Sequence, residues 1–343
     1  MAPKTVKTRF CLISDTHTSP PNPPLSTSIA YRSPLPKADV LLHAGDITKV
    51  GYRDEHEAMI AMLKEADAEI KLVIAGNHDI TLDEEYYNKT GVLRHRWRVG
   101  YTETLPAHKR GSRSRNGSDE EEEEEGPPED PKAIKALYTD PSTLAAGIHY
   151  LEEGLYTFTH PRTNARFTVY ASPYTPEFCN WAFPYDRHID RYNKPTPAEQ
   201  ATDRDGGGFE APNPVPGWPG VDIMLTHGPP YGIFDTVEPS GALVGCENLR
   251  RACARAKPRV HVFGHIHEGY GAGRMDWETN KFKAIKGDPE DVLENRGVFV
   301  DASSVGEELR FGKETLFVNA SVVTIRYHAV NAPWVVDLDL PVE

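Results

Sequence analysis

Apolar residues along this chain come in short, punctuated runs. Arg9–Ser14, Asp39–His43 and Ile70–Ala75 each have the length and the mixed β-branched and leucine character of a buried strand. Between the second and third, Arg53–Ala68 places Met59, Ile60, Met62 and Leu63 near helical spacing. A strand–helix–strand unit of this kind favours parallel pairing of its strands. Farther along, Arg166–Ala171, Val221–Thr226, Arg259–Phe263 and Gly297–Asp301 predict more strands, with a helix over Leu243–Ala256. Leu316–Asn319, Val322–His328 and Trp334–Leu338 predict a C-terminal strand meander. The pattern is that of an α/β protein without internal repeats, and a single domain over residues 1–343 is expected.

Two stretches break the pattern. His108–Pro131 is an acidic low-complexity insertion, too polar to fold alone. Phe183–Pro219 is rich in proline and glycine and is expected to be a lid-like insertion. The first stretch also changes the view of the charge. Asp119–Asp130 holds nine carboxylates and no base, so it alone takes the net charge of −13 to −4 for the rest of the chain. Neither figure suits stable nucleic-acid binding, and no basic stripe is present. Four cysteines, Cys11, Cys179, Cys246 and Cys253, form no CxxC pair and are expected to be reduced thiols. No apolar run reaches membrane-spanning length and Met1–Lys7 has no signal-peptide character, so no membrane association and a cytoplasmic location are expected.

The candidate chemistry lies where the predicted strands end. Asp15 and His17 follow the first, Gly45-Asp46 the second, and Gly76-Asn77-His78-Asp79 the third. His227 follows Val221–Thr226, and Gly264-His265-Ile266-His267 follows Arg259–Phe263. Ligands of open α/β sheets gather outside the carboxyl ends of the strands, so five strand ends deliver these side chains to one rim. Carboxylate, imidazole and amide donors suit Mn, Fe, Zn or Ni. The donors Asp15, His17, Asp46, Asn77, His227, His265 and His267 are too many for one tetrahedral ion and suit two, with Asp46 between the sets as the candidate bridge. Two ions ~3.5–4 Å apart can share a hydroxide and clamp the attacking and leaving oxygens of an in-line displacement. The glycines before Asp46, Asn77 and His265 would let backbone turn tightly beside the ions.

In order, DTH, GD, GNHD, TH and GHIH resemble the five-block signature of the calcineurin-like metallophosphoesterase superfamily. The likeness narrows through His43–Asp46, Phe178–Phe183, Thr226–Pro230, Gly264–Gly271 and Asn319–Ser321, which are similar to the metallophosphoesterase-domain-containing subgroup. That resemblance implies a four-layer αββα sandwich with two facing mixed sheets. It also implies a phosphodiesterase dependent on two divalent metals, Mn favoured, and acting on nucleotide-like or cyclic phosphodiesters. Some members carry glycine at the first histidine of GHIH; this chain keeps His265.

The resemblance assigns Asp15, His17, Asp46 and His267 to one metal and Asp46, Asn77, His227 and His265 to the other. It leaves His78 to contact the phosphate or protonate the leaving group. Asp79 is expected to orient His78, or else to cap a helix over Leu82–Tyr87. The other histidines are expected to be structural or surface residues, with His188 in the lid a reserve candidate. Trp181, Phe183 and Tyr185 are expected to pack in the core, or else to stack on a base. Three alternatives stay open: a phosphomonoesterase, a protein phosphatase, or a two-metal enzyme that hydrolyses or rearranges a small molecule lacking phosphate.

Overall fold

The computed structural model describes residues 4–95, 128–195 and 210–342. Most of the acidic insertion and part of the lid-like insertion therefore lie outside the described residues. Strands of three or more residues are β1 (Thr5–Ile13), β2 (Val40–His43), β3 (Ile70–Val73), β4 (Ile148–Tyr150), β5 (Gly154–Thr159) and β6 (Arg166–Ser172). They continue with β7 (Ile223–Thr226), β8 (Val260–Phe263), β9 (Gly271–Asp276), β10 (Lys281–Ile285), β11 (Val298–Asp301), β12 (Glu314–Asn319) and β13 (Trp334–Pro341). The first sheet has the order β11-β13-β1-β2-β3-β4, and the second the order β10-β9-β12-β8-β7-β6-β5. Both are mixed. In the first, β13 runs antiparallel to β1 while β1, β2, β3 and β4 are parallel. In the second, β12, β8, β7 and β6 are parallel and the strands outside them antiparallel.

Side-chain alternation builds the layers. Phe10, Leu12, Leu42 and Leu72 of the first sheet meet Phe167, Val169, Leu225 and Val262 of the second in a single core. The Phe10 and Phe167 rings meet edge to face at 5.8 Å. On the opposite face of the first sheet, Cys11, Ile13 and Leu41 pack with Met59 and Leu63 of α1 (Arg53–Glu65) and Ile134 and Tyr138 of α2 (Pro131–Thr139). Behind the second sheet, Met224, Phe263 and Phe317 pack with Leu249, Ala252 and Cys253 of α3 (Glu247–Ala256). The result is the expected four-layer sandwich. Among the described residues, no helix is long and apolar enough to cross a membrane.

Two expectations are corrected. The C-terminal meander does not form: β12 pairs with β8, β13 pairs with β1, and the chain between them, including 322–328, is a loop with isolated bridges. Alternation tells a strand which face to bury but not which neighbour to take. Pro131 begins a helix rather than ending an insertion. Its missing N–H is not needed at the first helical position, and the Asp130 carboxylate accepts from the Lys132 N–H at 2.9 Å. In the described part of 183–219, Tyr192 and Val215 are buried behind the second sheet. Arg255 of α3 donates to the carbonyls of Val215 and Tyr192 and to Asn193, so this chain covers the outer face of the second sheet.

Candidate metal centre

The parallel strands β1, β2 and β3 end side by side, as do β7 and β8 in the facing sheet. Their following loops are tied to each other. The Asp15 N–H donates to Gly45 O and the Gly264 N–H to His227 O, at 2.9 and 3.0 Å. Across the sheets, the His265 N–H donates to the Asp15 carboxylate at 3.0 Å. Asp15, His17, Asp46 and His265 all have φ between 43° and 66°. Residues other than glycine avoid this left-handed region, and such strain is concentrated at functional sites.

Two groups of donors result. One atom each from Asp15, His17, Asp46 and His267 lie within 4.8 Å of one another, as do atoms of Asp46, His227 and His265. In the first group, His17 Nε2 is 3.3 Å from His267 Nε2 and 3.6 Å from Asp46 Oδ2, and His267 Nε2 is 3.4 Å from Asp15 Oδ1. In the second, His227 Nε2 is 3.3 Å from Asp46 Oδ1 and 2.9 Å from Asn77 Oδ1. All seven expected donors thus meet at one floor, with Asp46 common to both groups. Converging nitrogen and carboxylate donors of this kind fit divalent metal ions.

The glycines are needed by space as much as by turn geometry. A Cβ on Gly264 would stand 2.0 Å from Asp15 Oδ2, and one on Gly76 2.3 Å from Asp46 Oδ1. Gly45 has φ +96°, and its Cβ would meet Ala75 O at 2.6 Å.

Burial pushes His17 and His265 down to about 3, so both rings are neutral and able to donate a lone pair. Burial also opposes charge on His227, but the Asp46 carboxylate outweighs it and holds the imidazole at about 9. A bound cation would take the place of that proton.

One candidate ligand ring is also fixed from behind. His227 Nδ1 donates to Ala44 O at 2.9 Å. Asn319 Nδ2 donates to Ile266 O at 2.8 Å and so steadies the GHIH loop. His43 and His261 are structural as expected, bonded to Thr16 and Thr226.

Asp79 corrects its expectation. Its carboxylate accepts from the N–H groups of Gly76, Ile47 and Thr48 and from the Thr48 hydroxyl, and it neither touches His78 nor caps the short turn after it. Burial and the charge of Asp46 raise it to about 7. It cross-links the second and third loops. His78 is oriented instead by the Lys49 carbonyl, 2.7 Å from Nδ1. A carbonyl can only accept, so Nδ1 carries the proton and Nε2 is the open atom.

A cleft of about 490 Å³ opens over the floor, lined by Asp46, Asn77, His78, His265 and His267 together with Glu177, Phe178, Trp181, Arg187, Glu238, Glu268, Ile325 and Tyr327. Tyr327 has φ +60°, and its ring lies 4.8 Å from His17 and 5.2 Å from His267. The sequence pattern had it on a strand and carried no signal for this place. Trp181 reaches the cleft, whereas Phe183 and Tyr185 are buried in the core. His188 is exposed and does not line the cleft; its neighbour Arg187 does.

The comparisons agree with this geometry. A model of the family described as calcineurin-like phosphoesterase matches residues 8–269. The human and mouse proteins named metallophosphoesterase domain-containing protein 1 are each 30% identical to this chain over 335 residues, covering 97% of it and 72% of their own length. Fold, donor floor and sequence match together place the chain in the calcineurin-like phosphoesterase family.

Proposed function

We propose that the chain is a two-metal phosphodiesterase for small nucleotide-like or cyclic phosphodiesters. In this reading Asp15, His17, Asp46 and His267 hold one divalent ion, and Asp46, Asn77, His227 and His265 hold the other. The observation that carries it is the carboxylate of Asp46, which belongs to both donor groups. Manganese is the favoured metal, with Fe, Zn or Ni compatible with the same donors. When bound, the ions supply Lewis-acid polarisation of a phosphoryl oxygen and a nucleophile at neutral pH.

The remaining steps belong to the chain. His78 presents Nε2 to the cleft; as the imidazolium, with Nδ1–H held by Lys49 O, its Nε2–H donates to a phosphoryl oxygen or passes its proton to the leaving oxygen, leaving the neutral Nδ1-protonated ring. Its own N–H donates to Asp46 Oδ1 at 2.8 Å, which keeps the third loop against the shared carboxylate. The volume suits a small molecule. The cleft is lined by one arginine, Arg187, and three acids, Glu177, Glu238 and Glu268, and the Arg187 guanidinium already donates to the carbonyls of Gly245 and Val244. Such a rim repels a dianionic monoester more than a monoanionic diester, and offers little to a nucleic-acid backbone. A cytoplasmic location fits the free cysteines, three of which are buried.

Hydrolysis of bis(4-nitrophenyl) phosphate and 4-nitrophenyl phosphate, measured beside metal content, tests the reading. Chelation is expected to abolish turnover and added Mn to restore it, with the higher kcat/KM on the diester. Undiminished turnover by metal-free protein would remove the proposal. A higher kcat/KM on the monoester would make the chain a phosphomonoesterase.

A further inference from the structure

The segment Phe178–Phe183 lies at the cleft but supplies no metal donor. Its backbone is strained, with Cys179, Asn180 and Phe183 all at φ +53°. In this conformation Trp181 lies flat on the His78 ring: the indole and the imidazole stack with centres 4.0 Å apart and planes 23° apart. The Arg94 guanidinium lies 3.6 Å from the centre of the same indole. Two groups so close to the ring centre take opposite faces, because on one face they would occupy the same volume. Arg94 is itself pinned. Its Nη2 donates to the carbonyls of Cys179 and Asn180 at 2.8 and 2.9 Å, and its Nε to the Tyr86 hydroxyl at 3.1 Å. Tyr86 donates in turn to Asn180 O at 2.6 Å, and the Asp83 carboxylate accepts from the Phe183 N–H at 2.8 Å.

With both faces covered, Trp181 has none left for a substrate base. Its effect falls on His78. The bond from Nδ1 to Lys49 O fixes one atom of that ring but leaves the plane free to swing about it. A flat partner on the ring face removes the swing, and the edge of His17, 4.7 Å away at 83°, limits the other direction. From this geometry we infer that Trp181, backed by Arg94, is a positioning residue that holds the His78 ring so that Nε2 stays aimed into the cleft. The inference rests on the proposed role of His78 in phosphodiester hydrolysis.

The test compares Trp181→Ala, Trp181→Leu and Trp181→Phe in the metal-loaded enzyme, alone and combined with His78→Ala. Leucine keeps apolar bulk without a flat face, so it serves if the alanine variant folds poorly. Alanine and leucine are each expected to lower kcat by about 10- to 100-fold, with KM within about twofold and metal content unchanged. Phenylalanine is expected to recover most of that loss. On the His78→Ala background the substitutions are expected to change kcat little, since a residue that acts through His78 has nothing left to position. A further loss of tenfold or more on that background, a rise in KM at constant kcat, or no change in kcat would each overturn the inference. If the wild-type chain turns over no phosphodiester, it is the functional proposal that fails. The inference is then read from imidazole ¹⁵N spectra of zinc-loaded protein: sharp His78 ring resonances in the wild type and exchange broadening of them in Trp181→Ala support it, and identical line widths refute it.

Discussion

On the floor of the cleft, the buried carboxylates of Asp15 and Asp46 have imidazoles and backbone N–H groups as neighbours, and among the described residues neither forms an ion pair with lysine or arginine. On the wall, Trp181 lies between a guanidinium and an imidazole, and Arg187 has carbonyl partners of its own. The floor therefore gathers carboxylate and imidazole donors, converging on one place, that an added cation would bind in common, whereas the wall is already satisfied by the chain. Without the cation, two buried carboxylates are balanced only by imidazoles and backbone N–H groups. The floor should accordingly respond strongly to loss of metal and the wall hardly at all.

The largest expected effect breaks the floor at its shared residue. Asp46→Asn should lose at least one equivalent of metal by mass spectrometry and most of the activity in the same sample. The loss should exceed the roughly 10²–10⁴-fold span of general acid–base catalysis. An Asp46→Asn protein with two metals and near-normal kcat would contradict the bridging assignment. His78→Ala probes the boundary between floor and wall. It is expected to keep both metals and lower kcat by about 10²–10⁴-fold with a smaller change in KM. If it arrives with one metal missing, His78 belongs to the floor as a ligand.

Gly264→Ala tests whether the cradle is as tight as it looks. The added Cβ would press on Asp15 Oδ2, so metal affinity should fall by about 10- to 100-fold. Unchanged affinity in a competition titration would mean that the loop gives way freely. Chelating the wild-type protein is a milder perturbation. With free metal at 100 times Kd, bound metal adds about 2.7 kcal/mol per site, so the thermal midpoint should drop by several degrees. Tryptophan fluorescence from the wall should barely change, and a large change would show that the two regions are coupled. The smallest effect is expected from deleting Ser112–Pro128, most of which lies outside the described residues. Its composition, a carboxylate run with Arg113, Arg115, serines, glycines and prolines and no large apolar residue, cannot order a site of its own, so kcat should stay within about twofold. A large drop in kcat with metal content intact would give the acidic segment a role in the chemistry.

The donor floor could be read from the chain because each donor follows a strand end within a few residues, usually behind a glycine. Parallel strands align their carboxyl ends, so short local spacing becomes convergence in space. Asp15, His17, Asp46, Asn77, His227, His265 and His267 were all accessible in this way, as were the layers, since alternation marks buried faces. Asp79 shows the limit even within a motif. Adjacency to His78 suggested contact, yet its carboxylate turns to the backbone of the second loop, because a buried carboxyl goes to the nearest cluster of N–H donors.

The wall was not legible. Arg94 and Trp181 are far apart in sequence, and nothing in their spacing requires that one guanidinium lie on the other's indole. Tyr327 sits in a stretch whose alternation imitates a strand, and only the departure of β12 and β13 into different sheets turns it toward His17 and His267. Short-range pattern determined the elements and the donors at their ends. Which strands became neighbours, and therefore which loops closed over the metal floor, was decided by tertiary packing, because pairing energy depends on the partner that burial makes available and not on the strand alone.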